Sequence, residues 1–287
     1  MSTPVVSVLM TAYNREKFIA EAIESVLAST YSDFELIIVD DGSKDQTVAI
    51  ARKYESLDAR IKVHINESNL GDYPNRNKAA SLSSGKYLKY LDSDDMIYPH
   101  GLAAFTEWME KNPSAALGVC SREVIPLNPF PHLLSPRESY RRHFFEQGLL
   151  DFGPSGVIIR KDAFIEAGGF SGKRYVGDQE CWLKIAARHD VLELPPSLIY
   201  WRRHEGQEFL AGSNGIDGGY FLLTLPMLRD AFSQSHCPLT KEECTILLNK
   251  QERVYARSIL KHILRTGQVA KALQRKKELN IPLTAIF

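Results

Sequence analysis

Between residues 5 and 95 the chain alternates short apolar runs with segments whose apolar residues recur at helical spacing, and this constrains the fold more than any other feature. Val5–Leu9, Phe34–Val39, Ile61–Ile65 and Lys86–Leu91 read as strands. The first is followed by the helical pattern FIAEAIESVLAS, the second by a helix from about Asp45, and the third by the loop NESNLGDYPNR and the helix NKAASLSS. Apolar strands joined by helical crossovers predict an α/β fold whose mostly parallel sheet has helices on both faces. In such open sheets ligands bind outside the carboxyl ends of the strands. Tyr13, Asp40, Asp41 and Asp92–Asp95 all follow strand ends, so the topology brings them to one rim.

The segment KYLKYLDSDDMIY puts Asp92, Ser93, Asp94 and Asp95 directly after an apolar strand. Carboxylates this close repel one another, and a chain keeps them together for a cation or as a solvated turn. Hard ions such as Mn2+ and Mg2+ take oxygen ligands and often use one or two protein carboxylates, leaving other positions to water and substrate phosphates. Tyr13 offers an aromatic face to a base, or is a half-buried loop aromatic. Asp40 and Asp41 also fit a turn that starts a helix. Arg76 suits base or phosphate contact, or a surface ion pair.

The 287 residues suffice for one large α/β domain with an appended segment. The expected division is 1–216, in two halves that meet at residue 110, followed by a helical segment over 217–287. There YFLLTLPMLRDAF, KEECTILLNKQERVYARSILKHILR and QVAKALQRKKEL show helical patterns whose apolar faces pack on the domain or form a homo-oligomer. With 35 basic and 35 acidic residues, the net charge gives no reason to expect a nucleic-acid partner. No run of about 18 apolar residues occurs, and the amino terminus lacks a basic region or cleavage pattern, so a cytoplasmic location is expected. LQRKKEL is read as a solvated helix face or as a peripheral membrane contact. Cys120, Cys181, Cys237 and Cys244 lack CxxC spacing and read as reduced, packed thiols.

The succession VSVLMTAYNRE, FELIIVDDGSKDQT, NLGDYPNRNKAA and KYLKYLDSDD resembles the amino-terminal half of the family 2 glycosyltransferases. The likeness continues more loosely through GVIIRKDAFIEAGGF, VGDQECWLKIA and YWRRHEG. It implies a GT-A fold with a Rossmann-like sheet, and a metal-dependent inverting enzyme that moves a sugar from a nucleotide-sugar donor to a hydroxyl of a glycan or glycolipid acceptor. It implies that Thr11, Ala12, Tyr13, Asp40, Asp41, Arg76, Asp92 and Ser93 hold the nucleotide, with Asp41 favoured for the uracil ring nitrogen. Asp94 and His204 become the metal ligands for Mn2+ or Mg2+, with Asp95 the alternative direct ligand one position on. Gly177 stands where the family usually has an acidic residue, leaving Asp178 as the general base and Glu180 as its competitor. Arg202 and Arg203 would neutralise phosphate charge.

The glycine-bearing stretch 206–215 would then close over the donor. The proline-containing stretch 121–140 reads as irregular, either an acceptor lid or a long connection. Gly153–Gly156 permits close backbone approach, and Trp182 is core, or with Trp201 a sugar platform. A UDP-sugar donor in surface polysaccharide or glycoconjugate synthesis is the leading reading, with GDP- and dTDP-sugars as rivals. With no channel segment and no evident QxxRW motif, the resemblance implies single-sugar addition. A catalytically silent sugar-nucleotide or glycan-binding module on the same scaffold is the alternative class.

Overall fold

The computed structural model describes residues 3–121, 129–205, 207, 210 and 212–282. The chain forms two compact units, residues 1–172 with 177–202, and residues 173–176 with 203–287.

The first unit is built on an eight-stranded sheet of order β3-β2-β1-β4-β8-β6-β9-β7. β1 (Val6–Ala12), β2 (Phe34–Asp40), β3 (Ile61–Ile65) and β4 (Tyr87–Tyr90) are joined by α1 (Ile19–Leu27), α2 (Thr47–Leu57) and α3 (Asp72–Leu82). These four strands are mutually parallel, as expected for buried strands joined by helical crossovers. All seven residues of β2 are buried, and α1 turns Ile19, Ala22, Ile23 and Val26 into the same core. Each large aliphatic or aromatic side chain among these, such as Ile19, Ile23, Val26, Leu36 and Ile38, contributes roughly 1.5–3 kcal/mol by leaving water.

The chain winds outward from β1 to β3 and then returns to β4 on the other flank of β1. This reversal opens a crevice between the carboxyl ends of β1 and β4. β1 runs three residues further than its apolar pattern suggests, because its ladder with β2 continues to the pair Ala12–Asp40. That register sets Ala12 beside Asp40 at the rim.

Beyond β4 the unit contains β5 (Met96–Ile97), α4 (Gly101–Lys111), β6 (Ala115–Cys120), β7 (His132–Leu134), α5 (Pro136–Arg141), β8 (Val157–Arg160), α6 (Lys161–Glu166), α7 (Gly177–Ala186), β9 (Asp190–Leu194) and β10 (Ile199–Tyr200). β8 is antiparallel to both β4 and β6, so the sheet is mixed on this side. β10 pairs antiparallel with β5 directly after the aspartate cluster.

The expectation of irregular backbone over 121–140 is corrected where the chain is described; 122–128 lie outside the described residues. β7 pairs with β9. Ser135 starts α5 with a capping box, accepting from the Glu138 N–H while the Glu138 carboxylate accepts from Ser135 N at 2.8 Å. Pro136 occupies a first-turn position, where its missing N–H costs nothing. The proline read as a breaker is a helix start.

The second unit contains α8 (Gly219–Ser233), α9 (Lys241–Thr266) and α10 (Val269–Glu278). Thr240 caps α9 in a capping box with Glu243, and Gly267 ends it with φ 69°. Ile216, Leu225, Tyr255, Ala256, Ile259 and Ala272 form its core. The units divide after Arg202, not after residue 216, and residues 173–176 join the helical unit. Packing explains the last point: the Tyr175 and Tyr220 rings lie 5.5 Å apart. A Cβ on Gly219 would fall 1.8 Å from the Tyr175 ring.

Candidate active site

The crevice between β1 and β4 is closed at its base by Ser93, whose hydroxyl donates to the Thr11 carbonyl at 2.8 Å. One carboxylate oxygen each from Asp92, Asp94 and Asp95 lies within 4.8 Å of the others. An all-oxygen donor set of this kind fits a hard divalent cation. Arginine groups partner all three. Arg76 donates to Asp92 at 2.7 Å, Arg15 to Asp94 at 3.0 Å, and the Arg202 backbone N–H to Asp95 at 3.0 Å. Burial raises the Asp92 carboxyl against the pull of Arg76, and burial together with Asp92 pushes Asp95 up to about 7. A cation bound here would favour the charged carboxylates that burial and mutual repulsion disfavour.

Beneath the cluster lies Lys89, fully buried, with its ammonium donating to the carbonyls of Tyr90 and Ser155 at 2.7 and 2.6 Å. Burial lowers it to about 8. The Ser155 hydroxyl accepts from the Asp92 N–H at 3.0 Å, so the PSG turn after Gly153 holds the cluster from below.

Ala12 and Tyr13 lead out of β1, with Tyr13 46% exposed and its ring accessible at the rim. Asp40 accepts from the N–H groups of Gly42 and Ser43 at 3.0 and 2.8 Å and from the Ser43 hydroxyl. Asp41 accepts from the Asn66 side chain at 2.8 Å and from the Leu70 and Gly71 N–H groups at 2.8 and 2.9 Å. Each carboxylate thus pins a loop while using three of roughly four lone-pair positions, leaving one to accept from a ligand. Arg76 is buried, bonded to Asp72 at 2.8 Å as well as to Asp92. In this structure it orients the acidic cluster.

Asp178 stands in the first turn of α7, one residue past the helix start, where a carboxylate complements the helix dipole. Tyr73 brackets it: the phenol donates to Oδ1 at 3.2 Å and accepts from the Asp178 N–H at 3.2 Å, and the Gln179 N–H adds a bond to Oδ1 at 2.8 Å. Gly177 is required here, since a Cβ would come within 2.7 Å of the Tyr73 ring. Although Asp178 keeps some accessible surface, protein surrounds its carboxyl, and burial raises it to about 6 against these bonds and Arg76. Glu180 is bonded to the Ser171 hydroxyl and lies 3.5 Å from Lys184.

The Arg202 side chain donates to the Asp94 carbonyl at 3.0 Å and to Glu21, which makes it a brace for the cluster's backbone. Arg203 and His204 belong to the second unit. His204 Nδ1 lies 2.7 Å from the Glu205 carbonyl; a carbonyl only accepts, so Nδ1 carries hydrogen. Trp182 is fully buried and donates to the Phe152 carbonyl at 2.9 Å, a core residue, whereas Trp201 is 43% exposed. Within the expected donor-covering loop, residues 206, 208, 209 and 211 lie outside the described residues.

Sequence reasoning missed Arg15, Tyr73, Lys89 and His143. Arg15 follows the end of β1 in VSVLMTAYNRE, a position that places a cation at the rim. Tyr73 and Lys89 gain their roles only across the fold. His143 lies in a π-helical turn, Arg142–Glu146, of the kind often found at functional positions. Its Nδ1 accepts from the Leu149 and Leu150 N–H groups at 3.1 Å each, and its Nε2 lies 3.3 Å from the Gln179 side-chain amide, next in sequence to Asp178. A cavity of about 560 Å³ lined by Pro4, Val5, Lys86 and Arg160 lies at the opposite ends of β1 and β4 and includes none of these groups.

A large mostly parallel sheet flanked by helices, with an oxygen-donor cluster at its switch point, has the architecture of the GT-A fold. The sequence model of glycosyl transferase family 2 matches residues 7–168. An uncharacterized glycosyltransferase of Haemophilus influenzae is 38% identical over 216 residues, covering 71% of this chain and 67% of that protein. The putative teichuronic acid biosynthesis glycosyltransferase TuaG of Bacillus subtilis is 36% identical over 133 residues, 45% of this chain and 53% of that protein. Among solved structures, TarS 1-349 of S. aureus in complex with UDP-GlcNAc has a TM-score of 0.73 at 19% identity, covering 98% of this chain and 82% of that one. The mannosyltransferase PcManGT of Pyrobaculum calidifontis, in complex with GDP-Man and Mn2+, has a TM-score of 0.66 at 15% identity, covering 99% and 83%. These two structures share the fold with this chain. The chain belongs to glycosyl transferase family 2 and is a glycosyltransferase.

Proposed function

We propose that the protein transfers a sugar from a UDP-sugar to an acceptor hydroxyl with inversion, using Mn2+ or Mg2+ held by Asp94 with Asp92 and Asp95, in the synthesis of a surface polysaccharide or glycoconjugate. The convergence of three aspartate oxygens within 4.8 Å at the sheet's switch point carries this reading. When bound, the cation would act as a Lewis acid on the departing diphosphate, worth several kcal/mol. Tyr13 stacks on the base, and the spare lone pair of Asp41 accepts its ring N–H. Arg15 and Arg76 supply guanidinium charge at the diphosphate.

Asp178 removes the proton from the acceptor hydroxyl as its oxygen bonds to the anomeric carbon and the carbon–phosphate-oxygen bond breaks, releasing UDP. With a pKa near 6, it is mostly ionised at neutral pH and still basic enough to accept a proton. Calorimetric binding of UDP, GDP and dTDP, with Mn2+ and then with chelator, tests the reading. Metal-dependent preference for UDP, followed by UDP release from a UDP-sugar in the presence of acceptor, is expected. Affinity that chelation leaves unchanged removes the metal from the proposal, and nucleotide binding without turnover turns the reading to a binding module.

A further inference from the structure

The exposed face of α9 has a composition unlike the rest of the chain. At about 100° per residue, the buried side of this helix is set by Tyr255, Ala256 and Ile259. Opposite it, Lys250, Arg253, Arg257 and Lys261 are all exposed and share an arc of about 120°. Interleaved on the same arc are Ile246, Val254, Leu260 and Leu264, exposed by 52, 47, 43 and 78%. The stripe runs about 27 Å along the helix.

Charge is as one-sided as position. The whole chain is neutral, yet from residue 246 to 265 there are five basic residues and a single acid, Glu252. Glu252 lies toward the buried side and pairs with Arg229 at 2.7 Å. Among the described residues no carboxylate pairs with Lys250, Arg253, Arg257, Lys261 or Arg265. A solvated helix would normally scatter acids among these cations, since like charges at i,i+4 repel. It would also not expose four large aliphatic side chains on the same arc.

We infer that this face of α9 lies on an anionic lipid bilayer, with its aliphatic side chains at the acyl boundary and its cations among the headgroups. A cationic amphipathic helix takes this position when both attractions are present. No helix among the described residues is long and apolar enough to cross a membrane, so the contact is peripheral. The aliphatic residues distinguish the bilayer from a polyphosphate partner, which would use the cations alone. A second copy docked face to face by a twofold axis would set one row of cations against another. The helix α10 repeats the pattern on a smaller scale, with Val269 and Leu273 exposed by 48 and 55% and Lys277 two turns beyond Val269.

Co-sedimentation of the full chain with vesicles tests the inference. Vesicles of phosphatidylcholine with about one third phosphatidylglycerol should pellet the protein, pure phosphatidylcholine should not, and added salt should weaken the association. The pair Arg253→Glu and Arg257→Glu should lower partitioning at least about tenfold. Leu260→Ser with Leu264→Ser should lower it at low salt too, and UDP release with a water-soluble acceptor should stay unchanged in both variants. Equal pelleting with neutral vesicles, or no pelleting with either, overturns the inference. So does RNA homopolymer binding that survives the leucine changes without vesicle binding, or a solution dimer that those changes dissociate.

Discussion

The acidic rim of the first unit and the basic face of α9 treat like charge in opposite ways. At the rim three carboxylates lie within 4.8 Å of one another, and Arg15, Arg76 and Arg202 each bond one of them. On α9 the cations stand in water beside exposed aliphatic side chains, with no carboxylate to pair them among the described residues. The first arrangement is built into the protein: its repulsion is offset by arginine partners at fixed distances, and burial together with the remaining repulsion raises the Asp92 and Asp95 carboxyl groups. The second is left open. Burial is what separates them, because a charge removed from water must be matched in place, whereas a solvated charge can wait for a surface of opposite sign.

If the rim does chemistry, its side chains should yield large effects, and the largest is expected at Asp178. Asp178→Asn should lower kcat by about 10²–10⁴-fold while UDP affinity stays near wild type; retained turnover would remove it from the base role. Asp94→Ala should next weaken Mn2+-dependent UDP binding at least about tenfold by calorimetry, and unaltered metal dependence would break the assignment of the cluster.

The pH profile sharpens the contrast. A base must be deprotonated, so kcat should rise through about pH 6 as Asp178 ionises. Tyr73→Phe removes a bond to the charged form and should move that midpoint upward. A lower plateau with the midpoint unmoved would mean that the phenol only packs. At the small end, Arg257→Glu should change urea-unfolding stability by no more than about 0.5 kcal/mol. A larger loss would reveal a structural role for the basic face and weaken the comparison from its other side.

Apolar run and helical spacing were sufficient for the parallel half of the sheet, and β3 falls on its expected bounds, Ile61–Ile65. The rim residues Thr11 to Tyr13, Asp40, Asp41 and Asp92 to Asp95 were likewise legible, because a parallel α/β order sends every strand's carboxyl end to one side. The segment after Ser121 was harder. Proline there meant a first helical turn, and β7 exists because β9 offers it a partner. The partners Tyr73 and Lys89 left no local signal. One reaches Asp178 across 105 positions and the other reaches the Ser155 carbonyl across 66.

The amino-acid order by itself determined the α/β class, the acidic cluster at a strand end, the helix start that carries Asp178 and the helical carboxyl-terminal segment. Periodicity and strand ends are local properties, and the chain carries them within a few residues. Only the tertiary structure decided that Arg76 orients Asp92, that Gly177 makes room for the Tyr73 ring, and that the cations of α9 stand on the outward face. Each depends on atoms brought together from distant positions, where sub-ångström packing and the direction of burial set the outcome.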